Sequence, residues 1–201
     1  MTPEREAKIK RVLNYRQGNM AVVLENVHDP HNISAVMRSC DAVGMQELYV
    51  LNNKISRHSK FGKKSSASVA GWLTVHQYQD TKECMEIIRG KYDQVLATHL
   101  GATSRSLYEL DLTGSVALVF GNEHAGITTE CLDYCTGNFI IPQGGMVQSL
   151  NISVACAITL YEAFRQRLKA GGYQGEPNLN PVEYERLAKK WGLESEEISF
   201  E

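Results

Sequence analysis

Short apolar runs alternate with segments of helical pattern along the chain. Six of these runs predict β-strands, at residues 20–24, 48–51, 73–75, 95–98, 115–120 and 139–141. The fifth run is almost wholly apolar, as a strand buried on both faces of a parallel sheet should be. The sixth run stops at Pro142.

Helical patterns fill most of the intervals between these runs. Apolar spacing predicts helices at residues 4–16, 33–43, 81–89 and 183–191, and a long apolar run predicts another helix after residue 150. On the helix at 33–43, which Gly44 ends, Ser34, Arg38 and Asp41 form a stripe beside the apolar face. The alternation of strands and helices predicts an α/β fold with a mostly parallel sheet and helices on both of its faces.

The segment before the long apolar helix has the composition of a binding loop. Gly144 and Gly145 allow backbone angles that a side chain would forbid, so main-chain groups can lie close to a ligand. Ser149, Asn151 and Ser153 supply polar groups at the helix entrance, where such residues also act as caps. The helix is apolar on most of its circumference, which predicts that its own sheet covers one side and a second subunit another.

Composition limits the class of protein. The chain has 201 residues, of which 43% are hydrophobic and 22% charged, and this fits one globular domain with short additional segments at its ends. It has no run of about 18 apolar residues, its start lacks a signal-peptide core, and its 5 cysteines are irregularly spaced. We therefore expect a cytoplasmic protein without membrane contact. Cys131 with Cys135, and His28 with His31, lack further ligands at suitable spacing, so we expect no metal.

Charge is small overall but unevenly distributed. The formal net charge is −2. One stretch without acidic residues contains Lys54, Arg57, Lys60, Lys63 and Lys64. The first 16 residues are also basic, through Arg5, Lys8, Lys10, Arg11 and Arg16. Either run fits a solvated surface or the footprint of a polyanion.

Three loops follow predicted strands at their carboxyl ends, which is where open parallel sheets bind ligands. The loops span residues 98–101, 121–126 and 141–151, and they contain glycine, amide and hydroxyl groups with one carboxylate, Glu123. This content suits a neutral or cationic small molecule held by backbone hydrogen bonds. It suits a nucleotide pyrophosphate poorly, because the sequence has neither a Gly-x-Gly-x-x-Gly after the first strand nor a Gly-Lys-Ser or Gly-Lys-Thr phosphate loop.

Three segments in order carry a resemblance to a known family. They read Asn-Ile-Ser-Ala-Val-Met-Arg at 32–38, Leu-Val-Phe-Gly-Asn-Glu-His-Ala-Gly-Ile at 118–127, and Ile-Pro-Gln-Gly-Gly-Met-Val-Gln-Ser-Leu-Asn-Ile-Ser-Val-Ala at 141–155. In order and spacing they resemble the motifs of the SPOUT superfamily of RNA methyltransferases. The likeness is greatest to the TrmH branch, which methylates ribose 2'-hydroxyls, and it extends from the Met-Thr-Pro start to residue 167.

The resemblance implies a donor, a topology and an assembly. The donor is S-adenosylmethionine, a deep trefoil knot is expected at about residues 118–167, and a homodimer is expected to form through the knot helix. The implied methyltransferase domain covers 17–169, between an amino-terminal helix at 1–16 and a linker with a carboxyl-terminal helix at 170–201. By family analogy, the donor is contacted by backbone around Thr98, Leu100, Gly121, Ile141, Met146 and Leu150.

The resemblance also implies residues for catalysis and substrate handling, namely Arg38, Asn32, Glu123, Ser149 and Asn151. Because a guanidinium keeps its proton up to about pH 12, we expect Arg38 to bind the target phosphate and stabilise alkoxide charge, while the hydroxyl proton goes elsewhere. Asn32 would hold Arg38. Simpler roles stay open: Arg38 could pair with Asp41, Asn32 could cap its helix, and Glu123 could bond a backbone N–H.

The implied substrate is tRNA, at a conserved D-loop guanosine. A related enzyme of ribosomal RNA is the nearest alternative, and the lack of a separate amino-terminal RNA-binding domain favours tRNA over it. A non-catalytic RNA-binding protein on the same scaffold is disfavoured by the intact set of motif residues. For tRNA or another structured RNA, the expected phosphate contacts are Arg57, Lys60, Lys63, Lys64 and Arg11.

Overall fold

The computed structural model describes residues 1–58, 69–122 and 125–193. Its strands are β1 Gln17–Glu25, β2 Met45–Leu51, β3 Thr74–Tyr78, β4 Gln94–Thr98, β5 Arg105–Ser106, β6 Val116–Phe120 and β7 Gly137–Ile140. Its α-helices are α1 Pro3–Tyr15, α2 Pro30–Ala42, α3 Thr81–Lys91, α4 Thr129–Leu132, α5 Ile152–Lys169 and α6 Pro181–Lys190, and a 3-10 turn covers Leu107–Glu109.

The strands form one sheet in the order β3-β2-β1-β6-β4-β7-β5. All the strand pairings within the described ranges are parallel. The predicted α/β fold with a parallel sheet and helices is confirmed. The trefoil knot, and the division at residues 16 and 169, stay predictions.

Two apolar layers lie on opposite faces of the sheet, because successive side chains of a strand point in opposite directions. From β1, Met20, Val22 and Leu24 pack with α2 and α5, whereas Ala21 and Val23 pack with α3 and α4. This double burial explains why β6 is apolar throughout. As predicted, the apolar face of α2 lies in the core, through Ile33, Val36, Met37, Cys40 and Val43.

The first and last described helices pack against each other. Ile9 and Leu13 of α1 share a buried cluster with Leu187 and Ala188 of α6 and with Trp191 beyond it. Helix α1 is therefore the element on which the last described helix docks. No helix in the described residues has both the length and the hydropathy needed to cross a bilayer.

The boundaries of several elements differ from the predicted ones for local reasons. Helix α2 begins three residues earlier than predicted, because the side chain of Asp29 accepts a hydrogen bond from the amide of His31 and Pro30 occupies the first helical turn. Strand β5 and helix α4 were not predicted. A strand of two residues and a helix of four contain too few positions to show a periodic pattern.

Arg16 is a correction to the predicted basic surface at the amino terminus. Its side chain is fully buried. Nη2 donates to Asp41 Oδ1 at 2.6 Å and to the carbonyl of Trp72 at 3.1 Å, and Nη1 donates to the carbonyl of Met45 at 2.9 Å. Burial lowers the pKa of Arg16, and Asp41 acts in the opposite direction. Arg16 therefore ties α2 to the core and is not a surface cation.

Candidate active site

A cavity of about 500 Å³ lies at the carboxyl ends of β4, β6 and β7. Most of the residues that line it come from the three glycine- and amide-containing loops, and the others come from the ends of β6 and β7 and the start of α5. The first loop contributes Thr98, His99 and Leu100, the second Gly121, Asn122, Ala125 and Gly126, and the third Ile141, Gln143, Gln148, Ser149 and Leu150. The sheet order therefore brings together segments that are separated by about twenty residues each along the chain.

Five of the six predicted donor contacts line this cavity: Thr98, Leu100, Gly121, Ile141 and Leu150. The sixth, Met146, is fully exposed in the third loop and is not part of the lining. Leu100 is 81% exposed, so an apolar side chain at the cavity wall is open to solvent. The roles of all six residues stay predictions.

Gly121 lies where the second loop folds back on itself. Asn122 and Gly126 exchange two backbone hydrogen bonds of 3.0 and 2.9 Å, and Gly126 has a φ of 69°. A Cβ at position 121 would lie 2.5 Å from the amide nitrogen of Ile127, and it would also collide with the carbonyl carbon and oxygen of Gly126. Only glycine fits at this position, which leaves the backbone of the cavity wall uncovered.

A side-chain contact joins α2 to the start of α5. Nδ2 of Asn151 donates to Oδ1 of Asn32 at 3.2 Å, although the residues are 119 positions apart. Asn151 also caps α5, since its Oδ1 accepts from the amide of Ser153 at 2.9 Å and from the Ser153 hydroxyl at 2.6 Å. Two predicted catalytic residues thus meet, and a third, Ser149, lines the adjoining cavity.

The capping alternatives have different outcomes for the two asparagines. Asn151 is the cap of its helix, as the simpler role proposed, and it contacts Asn32 as well. The capping role predicted for Asn32 is wrong, because Asp29 caps α2 and Asn32 lies inside the first turn. The side chain of Asn32 is thereby available for the contact with α5.

Arg38 lies on the exposed side of α2, two turns after Asn32. The alternative that it pairs with Asp41 is wrong, because Asp41 binds the buried Arg16. Within the described ranges Arg38 makes no hydrogen bond or ion pair, so its guanidinium is available to a ligand. It does not line the cavity of its own chain, and its assigned role stays a prediction.

Some predicted residues lie outside the described part of the chain. These are Glu123 and the three lysines Lys60, Lys63 and Lys64. Arg57 is described and exposed, and its Nε donates to Gln77 Oε1 at 3.1 Å. Arg11 is exposed on α1. Their proposed contacts with RNA phosphates stay predictions.

The described lining of the cavity combines polar and apolar groups. Its described lining contains amides, hydroxyls, one imidazole and apolar groups, without Lys, Arg, Asp or Glu. Cys40 of α2 and Cys156 of α5 are completely buried in the core, and burial raises the pKa of both thiols. These cysteines are packing groups, because a nucleophilic cysteine needs a stabilised thiolate. The site can hold a neutral or cationic molecule through directed hydrogen bonds.

Sequence reasoning missed a group of polar residues behind the second loop. They are Glu25 and Asn26 at the end of β1, Asn53 after β2, and Thr128 before α4. The signal that could have found them is their position, since polar residues directly after buried strands lie at the ligand-binding edge of a parallel sheet. Asn26 has a φ of 53°, which is uncommon for a residue other than glycine.

Several known proteins are similar to this chain. A model of the SpoU rRNA Methylase family matches residues 19–161. A tRNA (guanosine(18)-2'-O)-methyltransferase of Thermus thermophilus is 40% identical over 190 residues, covering 94% of this chain and 96% of that enzyme. The crystal structure of the Aquifex aeolicus TrmH/SpoU tRNA modifying enzyme matches with a TM-score of 0.84 and 33% identity, over 98% of each chain. An AdoMet-bound rRNA methyltransferase from Sinorhizobium meliloti matches with a TM-score of 0.65 and 29% identity, over 77% of this chain and 59% of that chain.

Proposed function

The chain belongs to the SpoU rRNA Methylase family, and from that premise we propose that it transfers a methyl group from S-adenosylmethionine to a ribose 2'-hydroxyl of tRNA, at a D-loop guanosine. The names of the similar tRNA enzymes support this substrate. The observation that carries the proposal is the contact between Asn32 and Asn151, which joins the helix bearing Arg38 to the loop that lines the cavity.

The cavity fits S-adenosylmethionine in size and charge. Its volume of about 500 Å³ is within the roughly 300–1,000 Å³ typical of small-molecule sites. Its described lining has no Lys or Arg, so it offers no cation that would select a phosphate or repel a sulfonium. Thr98, Leu100, Gly121, Ile141 and Leu150 would hold the molecule, which when bound supplies a methyl group activated by positively charged sulfur.

Alignment is the main contribution that the protein makes to the reaction. Holding the ribose oxygen in line with the methyl group and the sulfur can supply up to ~7–11 kcal/mol of rate enhancement. Asn32, Ser149 and Asn151 would position the ribose beside the cavity, which the contact between Asn32 and Asn151 and the place of Ser149 in the lining support. The guanidinium of Arg38 would bind the neighbouring phosphate and stabilise negative charge on the 2'-oxygen, and another group would accept the hydroxyl proton.

We also propose a homodimer that forms through α5. Val154, Tyr161 and Leu168 repeat every seven residues, which places them on one side of the helix. Their exposed fractions are 47%, 53% and 49%, which is unusual for apolar side chains on a helix that also packs into a core. A second copy of α5 would cover this row and place a second Arg38 and a second cavity in the assembly.

The dimer is tested with one charged substitution in the row. We expect Tyr161→Glu to yield a monomer by light scattering at micromolar concentration, because dimerisation would bury the new carboxylate. The matched control is Ile87→Glu, which replaces an apolar residue that is 44% exposed on α3, on the other face of the sheet. A wild-type protein that is monomeric at this concentration contradicts the proposal.

The activity is tested by incubating the protein with labelled donor and bulk tRNA, followed by mapping of ribose methylation. We expect one methylated guanosine in the D-loop. Arg38→Ala should lower kcat by roughly 10²–10³-fold, as does loss of other electrostatic stabilisers of a transition state. Arg89→Ala, which removes an exposed arginine from α3, should leave kcat unchanged. Wild-type turnover by Arg38→Ala would refute the role of that residue.

Ribosomal RNA is the second candidate substrate. The name of the family and the similar rRNA enzyme from Sinorhizobium meliloti favour it. The same assay separates the two substrates. If rRNA fragments are methylated and tRNA is not, rRNA replaces tRNA as the proposed substrate. A protein that binds RNA but gives no calorimetric signal with S-adenosylmethionine would instead be a non-catalytic binder. The cytoplasmic location stays a prediction.

A further inference from the structure

The carboxyl group of Glu25 ends β1 and is fully buried. It accepts three hydrogen bonds from two segments distant in sequence. The amide of Thr128 donates to Oε2 at 2.8 Å, and the hydroxyl of Thr128 donates to Oε1 at 2.6 Å. Nδ2 of Asn53 also donates to Oε1, at 3.1 Å. Glu25 therefore fixes the distal end of the second cavity loop, since Thr128 lies two residues after the lining residue Gly126.

The next residue, Asn26, fixes the proximal end of the same loop. Its carbonyl accepts from Nδ2 of Asn122 at 2.9 Å, and Asn122 lines the cavity. Oδ1 of Asn122 in turn accepts from the amide of Ala125 at 3.0 Å. The last residue of β1 and the residue after it thus hold both ends of the loop, and neither lines the cavity.

Asn53 connects this pair of residues to the segment after β2. Its Oδ1 accepts from Nδ2 of Asn26 at 2.5 Å, and its Nδ2 donates both to Glu25 and, at 2.7 Å, to Oγ1 of Thr81. The amide of Lys54 donates to Oδ1 of Asn26 at 2.9 Å. The basic stretch therefore begins on the same polar network that holds the cavity loop.

We propose that Glu25 and Asn53 are positioning residues that act through Thr128 and Asn122 to hold residues 121–122 and 125–128 in the conformation that binds S-adenosylmethionine. Neither Glu25 nor Asn53 lines the cavity, so their effect on binding passes through the loop. This inference rests on the proposed function and deepens it, because it names residues that set donor affinity without touching the donor.

Two isosteric substitutions break the network at one bond. In Glu25→Gln, one carboxyl oxygen becomes an amide nitrogen. In either orientation of the amide, its NH2 group therefore faces an N–H or O–H group of Thr128 or Asn53 that had donated to the carboxylate. In Asn53→Asp, the nitrogen that donates to Glu25 becomes an oxygen, and two carboxyl groups then face each other. Each single variant should raise the dissociation constant of S-adenosylmethionine about tenfold.

The double variant Glu25→Gln with Asn53→Asp reverses the direction of the broken bond. The glutamine amide can donate to the aspartate, while its oxygen still accepts from the amide of Thr128. The hydroxyl of Thr81 can donate to the aspartate as well. We expect donor affinity within about threefold of wild type, and this rescue forms a double-mutant cycle on the contact.

Donor affinity is measured by calorimetry without RNA, at a temperature where thermal unfolding curves show each variant to be folded. Tyr92→Phe is the matched control, because it removes a buried hydrogen bond of 3.0 Å to Glu47, which lies near the other end of β2. It should lower Tm without changing donor affinity. If the single variants have a lower Tm but bind S-adenosylmethionine with wild-type affinity, Glu25 and Asn53 have only a structural role and the proposal is overturned.

Amide hydrogen exchange of the donor-free protein provides a readout that does not depend on the activity. The amides of Gly126 and Thr128 should exchange at least tenfold faster in each single variant and at near wild-type rates in the double variant. Unchanged exchange would overturn the proposal even for an active enzyme. A wild-type protein that binds no S-adenosylmethionine would instead overturn the proposed function, and the exchange data would still decide whether the network holds the loop.

Discussion

Gly121→Ala is the sharpest test of the cavity, because it adds a single methyl group to the backbone at the end of β6. The new Cβ would lie 2.5 Å from the amide nitrogen of Ile127 and would also overlap the carbonyl group of Gly126. The three atoms nearest to it all belong to the backbone. No rotation of a side chain can relieve the overlap, so the loop itself must move.

The magnitude follows from the distance and from the restraints on the loop. Relief to ordinary van der Waals separation of ~3.5 Å requires a movement of roughly 1 Å at Ile127. The loop resists this movement through the two backbone hydrogen bonds between Asn122 and Gly126 and through Glu25. Overpacking of this kind costs about 1–3 kcal/mol, and a misplacement of ~1 Å near a reacting group can lower the rate by ~10²-fold.

The assay measures calorimetric binding of S-adenosylmethionine and the rate of methyl transfer to tRNA. We expect Gly121→Ala to weaken binding at least tenfold and to lower kcat/KM by about 10²-fold. Gly90→Ala in α3 is the matched control, because a Cβ there meets nothing within 4 Å, and the change should stabilise the helix by about 0.5–1 kcal/mol. Wild-type affinity and rate in Gly121→Ala would refute the assignment of this loop to the donor.

Two further predictions concern stability and RNA binding. Burial by itself raises the pKa of Glu47, but the His76 ring at 3.9 Å, the ammonium of Lys91 at 2.7 Å and the hydrogen bond from the Tyr49 hydroxyl at 2.7 Å lower it to about 2. The ionised form therefore stabilises the fold by at most ~3 kcal/mol above pH ~4.5, and this stability is lost as the pH falls towards 2. Urea unfolding at pH 7 and pH 3 should show a smaller change in the free energy of unfolding for Glu47→Gln than for wild type. An equal change in both proteins would contradict this role of Glu47. If Arg11 contacts an RNA phosphate, Arg11→Ala should reduce the slope of log K against log salt by ~0.7–0.9, while Arg89→Ala leaves it unchanged. An unchanged slope for Arg11→Ala would remove that residue from the interface.

The sheet and its ligand-binding edge could be predicted because their signals are local. An apolar run such as 115–120 identifies a buried strand by itself, and glycine with amide residues after a strand identifies a loop suited to backbone contacts. Five of the six residues predicted to contact the donor line the cavity for this reason. Met146 does not, because its position in the loop depends on backbone angles that glycine neighbours leave unrestricted.

The polar contacts at the site could not be predicted, because each depends on distant partners. Asn32 has the residue type of a cap, and its spacing to the helix start allowed that role. Whether it caps α2 or reaches α5 depends on Asp29 and on the placement of Asn151, which is 119 residues away. The network around Glu25 is similar, because a buried carboxyl group is understood only when its donors, Thr128 and Asn53, are known.

The availability of Arg38 is a consequence of packing at the carboxyl end of α2. By sequence spacing, Asp41 is a natural ion-pair partner for Arg38, at three residues along the helix. In the structure, Asp41 pairs with Arg16 instead. Arg16 is buried, and a buried guanidinium without a partner is costly, so the pair with Arg16 is stronger than a pair with the exposed Arg38 would be. The contact that anchors the end of α1 against the core thus also removes the competitor for Arg38. A surface arginine without a partner on its own helix can bind a substrate phosphate without first breaking an ion pair, which is what the proposed reaction requires of it.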